Sequence, residues 1–171
     1  KLGVHAFLAS HVLGRPADLG WCDKDLTAYF KAIKKADPIV YDQAKRVVHL
    51  SNYMGTPARM EQEYPEVFQK GQAARLQGVY FDLFPEIKIW HKDTCRRVDG
   101  TKRKGEEGEA VDPWTLGVCQ VRNPFGYLHR FYNVLDWEKV EDEWISSYGE
   151  DAKRLISFLP QSTAAAIIKA A

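Results

Sequence analysis

Residues 38–60 read PIVYDQAKRVVHLSNYMGTPARM, and the spacing inside this stretch decides the fold class. Tyr41, Lys45, His49 and Tyr53 recur at every fourth position. At 3.6 residues per turn such positions drift by only about 40° per step, so they form one stripe down a helix. Val40, Ala44, Val47 and Met54 keep the spacing of a buried seam and fall roughly opposite the stripe. Pro38 suits a first helical turn, where its missing N–H costs nothing, and Gly55 with Pro57 supplies a stop. The stretch therefore predicts a helix that buries one face and presents a cation, an imidazole and a phenol in file on the other. Lys45 suits a phosphate, while His49 and Tyr53 offer flat rings to a base or sugar. Spacing alone favours a plain surface helix whose solvated face carries Lys and Tyr.

Upstream, residues 1–14 (KLGVHAFLASHVLG) predict an amphipathic helix ending at Gly14, with Val4, Leu8 and Val12 on one side and His5 as a packed or hydrogen-bonded residue. A Gly/Pro-bearing loop leads to Asp23, the expected N-cap of a second helix with Leu26, Tyr29, Phe30 and Ile33 inward. Its Lys31, Lys34 and Lys35 read as a solvated face, with a template-backbone contact as the alternative. Downstream, Thr56-Pro57 restarts a short helix, and a long helical pattern runs from Val67 to about Arg97. Phe84-Pro85 must kink or break it. Ile87, Ile89 and Trp90 are expected in its core. Residues 98–112 (VDGTKRKGEEGEAVD) read as a mobile charged surface loop. Trp114 to Val121, a turn at Asn123-Pro-Phe-Gly126, and Tyr127 to Tyr132 predict one β-hairpin. Asp136 is expected to cap an acidic helix over WEKVEDEWISSYG, with Trp137, Val140, Trp144 and Ile145 inward.

Composition narrows the classes. With 171 residues, 45% of them hydrophobic, the chain is long enough for one domain with a real core. The 24 Lys and Arg against 23 Asp and Glu leave a formal net charge of +1, so any nucleic-acid surface must be local. Cys22, Cys95 and Cys119 show no CxxC spacing, which suits buried thiols in a reducing compartment. No apolar run reaches the roughly 18 residues of a membrane span. The chain opens on Lys1 and closes inside an Ala-rich helical pattern, so it is expected to be an excised segment of something longer.

AKRVVHLSNYMG (residues 44–55) resembles the nucleotide-binding helix in the fingers of family-A, DNA polymerase I-like enzymes, and phage-type members in particular. That pattern is a lysine, an aromatic or His four residues on, and a tyrosine four further; Lys45, His49 and Tyr53 match it. Leu50 stands where a glycine usually follows the ring, Met54-Gly55 reads as a transposed Gly-Met, and Tyr41 replaces an opening arginine. His5 matches the His of an upstream helix, and YFDLFPEIKIWHKD resembles the family's Phe/Tyr-Pro passage. GYLHRFY resembles a hairpin in which Arg130 remains of a basic pair. In EDAKRLISFLPQSTAAAIIKAA the resemblance places Gln161 before Ser-Thr-Ala-Ala, with Ser157 and Lys153 (or the adjacent Arg154) at four-residue intervals before it.

The resemblance implies a mainly α fold with one β-hairpin: a single fingers module over residues 1–171, set between the family's two metal-carboxylate motifs. Its implied role is to bind the triphosphate and base of a dNTP against primer-template DNA. Lys45 would grip the triphosphate and neutralise charge on the leaving group, His49 would stack, and Tyr53 would close the pocket. Gln161, Ser157, Lys153, Arg154 and Arg130 would contact DNA. Mg2+ belongs to the complete enzyme, on carboxylates outside this chain, so the segment alone is expected to be inactive. Implied partners are DNA, dNTP and the remaining palm and thumb, in the same polypeptide or another. The implied setting is a bacterial or phage-infected cytoplasm, with no membrane. Fingers of a single-subunit RNA polymerase, or a non-catalytic nucleic-acid-binding or interaction domain, are the alternatives.

Overall fold

Apolar periodicity near 3.6 dominates the first half of the chain, and helices follow from it. A computed structural model describes residues 3–18, 20–98, 119–141 and 143–170. The described elements are α1 (Val4–Val12), α2 (Asp23–Ala36), α3 (Pro38–Asn52), α4 (Pro57–Glu63), α5 (Gln72–Leu83), α6 (Glu86–Val98), β1 (Cys119–Arg122), β2 (Leu128–Phe131), β3 (Leu135–Val140), β4 (Glu143–Tyr148) and α7 (Ala152–Ala170). The fold is thus mainly helical with two antiparallel hairpins, and packing divides it into two units, residues 1–87 and 88–171.

In the first unit α3 packs against both α1 and α5. The core holds Leu8, Val47, Val48, Met60, Phe68, Leu76 and Tyr80, with Val4 and Val12 partly buried beside it. Each large apolar side chain so buried is worth about 1.5–3 kcal/mol. The buried face of α3 is Gln43, Ala44, Val47, Val48 and Ser51. Its polar members are satisfied: Gln43 Nε2 donates to the Val67 carbonyl at 2.7 Å, and Ser51 Oγ accepts from Gln77 Nε2 at 3.0 Å. Met54, expected in the seam, lies beyond the helix end in a left-handed conformation with φ of +59°. Asp23 is the first helical residue of α2 and Cys22 its N-cap; the exposed Cys22 Sγ donates to Asp25 Oδ2 at 3.1 Å. Thr56 caps α4 by accepting from Arg59 N at 3.4 Å. The long pattern expected from Val67 begins as α5 only at Gln72, after Gly71 turns the chain through φ of +80°.

The second unit corrects two expectations. Ile89 and Trp90 are exposed, and the buried residues of α6 are His91 and Cys95. The acidic helix expected after Asp136 is a second hairpin, in which Leu135 pairs with Tyr148 and Val140 with Glu143. One β-hairpin therefore becomes two. Trp137, Val140, Trp144 and Ile145 satisfy a helical spacing, but the operative period is two. Leu135, Trp137, Trp144 and Ser146 share the more buried face, while Asp136, Glu138, Val140, Glu143 and Ile145 share the exposed one. Glu141, with φ of +57°, turns the chain between the strands.

The expected hairpin is present as β1 and β2. Asn123 Oδ1 accepts from the backbone of Phe125 and Tyr127, both at 3.0 Å, which shapes the turn. Residues 114–118, and the charged loop apart from Val98, lie outside the described residues. Phe131 and His129 from β2 meet Phe158 of α7 at ring-centre distances of 5.8 and 5.2 Å. Asp151, just before α7, ties this unit together. Its Oδ2 accepts from Tyr132 N at 2.9 Å and its Oδ1 from Arg154 Nη1 at 3.1 Å. Gly149 is required by close approach, since a Cβ there would sit 2.3 Å from Asn133 Oδ1. Pro160 lies inside α7.

Candidate functional site

The stripe on α3 divides into an exposed part and a packed part. Lys45 and His49 are exposed, as their polarity demands. Tyr41 is half-buried and packs beside the small cluster of Ala6, Ala17, Leu26 and Phe30. His5 meets the Tyr41 ring edge-on at 6.3 Å, and Lys34 Nζ lies 5.2 Å from that ring. Burial first, then the neighbouring Lys45 and His49, hold His5 below the ordinary histidine value. The protonated form of His5 is therefore disfavoured.

Lys45 and His49 line an open hollow of about 190 Å³ together with Asp42, Arg46, Leu50 and Tyr64. Arg46 and Tyr64 were not among the expected site residues. The signal for Arg46 was present: Asp42 and Arg46 stand four apart, and their side chains pair at 2.8 Å from Arg46 Nε to Asp42 Oδ2. At the surface such an i,i+4 pair contributes only about 0.3–0.5 kcal/mol. Tyr64 gives no comparable signal, because the turn after α4 brings it to α3. Its ring centre lies 4.0 Å from Arg46 Cζ, within cation–π range.

Toward the helix end, the His49 and Tyr53 rings meet at 5.2 Å, nearly perpendicular. Tyr53 is the C-cap of α3, not a helical residue. The turn beneath it is fixed by Gly55 N donating to the Leu50 carbonyl at 2.6 Å and by Gln77 Nε2 donating to the Gly55 carbonyl at 2.8 Å. A Cβ on Gly55 would fall 2.8 Å from the Leu50 carbonyl oxygen, so only glycine closes this turn without displacement. Met54, immediately before it, takes the left-handed conformation at a cost of roughly 1–2 kcal/mol relative to glycine's freedom.

No protein-family model matches the chain, and no curated protein or solved structure matches it. The candidate site therefore stands on its own chemistry. Lys45, His49 and Tyr53 lie in the first unit, whereas Arg130, Lys153, Arg154, Ser157 and Gln161 lie in the second. In the second unit, Lys153, Ser157 and Gln161 recur at helical spacing along α7 rather than leading into it. Lys153, Arg154 and Gln161 are exposed. Ser157 Oγ donates to the Arg154 carbonyl at 3.1 Å, and Arg154 is engaged by Asp151. Arg130 is exposed and pairs across the hairpin with Gln120. It alternates with His129 and Phe131, so it lies on the hairpin face away from Phe158 and is not gathered with the α7 row.

Among the described residues no group of three or more His, Cys, Asp or Glu side chains gathers to hold a metal ion. No described helix is long and apolar enough to cross a membrane.

Proposed function

We propose that this chain is a fingers-like region of a DNA-directed DNA polymerase, similar to phage-type family-A enzymes and working in the cytoplasm. In it α3 receives the incoming dNTP. One observation carries the reading: Lys45 and His49 open onto the same hollow, and the His49 ring continues to Tyr53. A phosphate chain at Lys45 leaves the sugar and base over a pair of rings in the order the resemblance requires. Lys45 acts electrostatically, meeting charge that grows on the departing phosphate. His49 stacks, and Tyr53 bounds the pocket toward the template. The α7 row of Lys153, Ser157 and Gln161, with Arg154 and Arg130, supplies contacts to primer-template DNA. Gln161 both donates and accepts, which suits the nearly sequence-neutral minor groove. The metal carboxylates and the rest of the active site come from palm and thumb.

A non-catalytic phosphate-binding domain is the second reading, favoured by the cations clustered around a hollow that is open to solvent. Nucleotide binding separates the two. Titrating a dNTP into the full chain should give binding that Lys45→Ala weakens roughly a hundredfold, the loss expected for a charge-assisted phosphate contact. Tyr53→Ala should weaken the dNTP but not inorganic triphosphate. If both variants bind dNTP like the parent, the nucleotide assignment fails.

A further inference from the structure

The hollow on α3 is small: about 190 Å³, below the roughly 300 Å³ at which pockets for whole small molecules begin. It accommodates a charged group, with the remainder of any ligand outside. Its polar lining is Asp42, Lys45, Arg46, His49 and Tyr64, and the Glu66 carboxylate also acts on Arg46, so two cations and an imidazole stand against two carboxylates. Asp42 already occupies one edge of Arg46, and the guanidinium's terminal amino groups with Lys45 are what the hollow offers an anion.

Arg46 is held in two directions at once. Its Nε edge donates to Asp42 Oδ2 at 2.8 Å, and its face rests on the Tyr64 ring, 4.0 Å from Cζ to the ring centre. Tyr64 is itself anchored against the hydrophobic core beside α3. A guanidinium fixed along one edge and one face keeps its two terminal amino groups in a set plane, and neither has a protein acceptor among the described residues. A planar fork of N–H donors matches two oxygens of a phosphoryl group, and prior immobilisation reduces the rotamer entropy lost on binding. Lys45, the preceding residue, adds a point charge to the same hollow, and His49 stands one turn further on.

We propose that Arg46, clamped by Asp42 and Tyr64, is a specificity-determining phosphoryl-binding residue of this hollow, acting with Lys45. The phosphoryl group comes from a nucleoside triphosphate tail or from a nucleic-acid backbone. The first source rests on the nucleotide-binding reading of α3; the phosphoryl chemistry does not. Asp42 is a positioning residue: it orients the fork but also brings a negative charge to the rim.

The test titrates inorganic triphosphate, a dNTP and a short DNA duplex separately into the full chain, followed by calorimetry. Arg46→Gln should weaken phosphate binding at least tenfold, the loss of a charge-assisted hydrogen-bonding group. Arg46→Lys should lose nearly as much, because an ammonium keeps the charge without the fork. Lys24→Gln removes one charge from an exposed position on α2 that does not line the hollow, and it should change nothing. Circular dichroism of each variant confirms that it is folded. Dependence on Arg46 in the triphosphate arm assigns the free nucleotide; dependence in the duplex arm alone assigns the backbone. Absence of that dependence in both arms overturns the proposal, as does an Arg46→Lys variant that binds like the parent. If dNTP binds no tighter than triphosphate while both need Arg46, the role of Arg46 stands and the nucleotide pocket fails. Loss of dNTP binding in Lys45→Ala but not in Arg46→Gln does the reverse: the nucleotide pocket stands and the role of Arg46 fails.

Discussion

The two units of this chain are stabilised by different means. The first is a helical packing problem solved with apolar seams, and the buried polar groups of α3, Gln43 and Ser51, are bridged from a neighbouring helix or loop. The second holds two short hairpins, α7 and most of α6; beside the buried Phe131, Val134, Leu135, Leu155 and Ile156 it adds polar locks: Asp151 on the backbone of Tyr132, Asn123 within its own turn, and Gly149 against Asn133. An apolar seam spreads its contribution over many contacts. A polar lock concentrates it in one residue, so a single substitution should do more harm in the second unit than in the first.

Gly149→Ala is the severest challenge to that contrast. The new methyl would meet Asn133 Oδ1 at 2.3 Å and the Asn133 carbonyl oxygen at 2.6 Å, and backbone must move to admit it. We expect a loss of about 3 kcal/mol or more, at the upper end for overpacking. Hydrogen exchange should show protection lost over residues 119–170 while α1, α3 and α5 keep theirs; an equal loss in both units breaks the comparison. Asp151→Asn comes next, costing about 1–3 kcal/mol because charge-assisted hydrogen bonds are weakened. The hydrogen bond from Tyr132 N, followed by those from Arg154 and Asn133, holds the Asp151 carboxyl below its ordinary value of 3.8. Its contribution is therefore present above that pH and is lost as pH falls through the lower, folded-state value. Acid titration of the parent should unfold residues 119–170 with a slope below about pH 4 that the Asn variant lacks.

In the first unit the corresponding experiment is milder. Tyr80 donates its hydroxyl to Asn52 Oδ1 at 2.6 Å beneath the end of α3, and Tyr80→Phe should cost about 1 kcal/mol in chemical denaturation. Burial raises the Tyr80 value above that of a free phenol, so its contribution persists below about pH 10 and fades above it. Smallest of all should be His5→Gln, within about 0.5 kcal/mol at neutral pH. Because the folded value of His5 is depressed, the parent loses stability as pH drops below about 6.5, and the variant should not. Thermal midpoints across pH 5–8 read this directly, and parallel curves for parent and variant would remove His5 from the account.

The same contrast explains what was legible beforehand. Along α3, Pro38 and the Ala44–Val47 step agree on one helix, so its start and its exposed Lys45 and His49 followed from period and punctuation, whereas the helix ends at Asn52, before the Tyr53 and Met54 that the same period would include. Arg46 was overlooked because a charged residue beside a seam reads as solvated; only the turn bringing Tyr64 over it gives it a place. The segment from Asp136 to Tyr148 misled for a different reason. Its two tryptophans and two β-branched residues share one face only at helical spacing, while the hairpin puts the tryptophans on one face and Val140 and Ile145 on the other. The deciding feature, a left-handed Glu141, is a backbone state that few glutamates adopt. Exposed Ile89 and Trp90 on α6 show the same limit, since hydrophobicity does not say which neighbour arrives to cover a side chain.

Pro160 has its own consequence for the α7 row. A prolyl ring has no N–H to return to the carbonyl of Ile156, four residues earlier, and it crowds that oxygen. Ser157 and Gln161 thus stand on opposite sides of a discontinuity in an otherwise regular ladder. A row of side chains read off helical pitch would be a straight ruler. This one lacks a rung between its second and third marks, which leaves a main-chain acceptor without its usual donor beside the residues proposed to follow DNA.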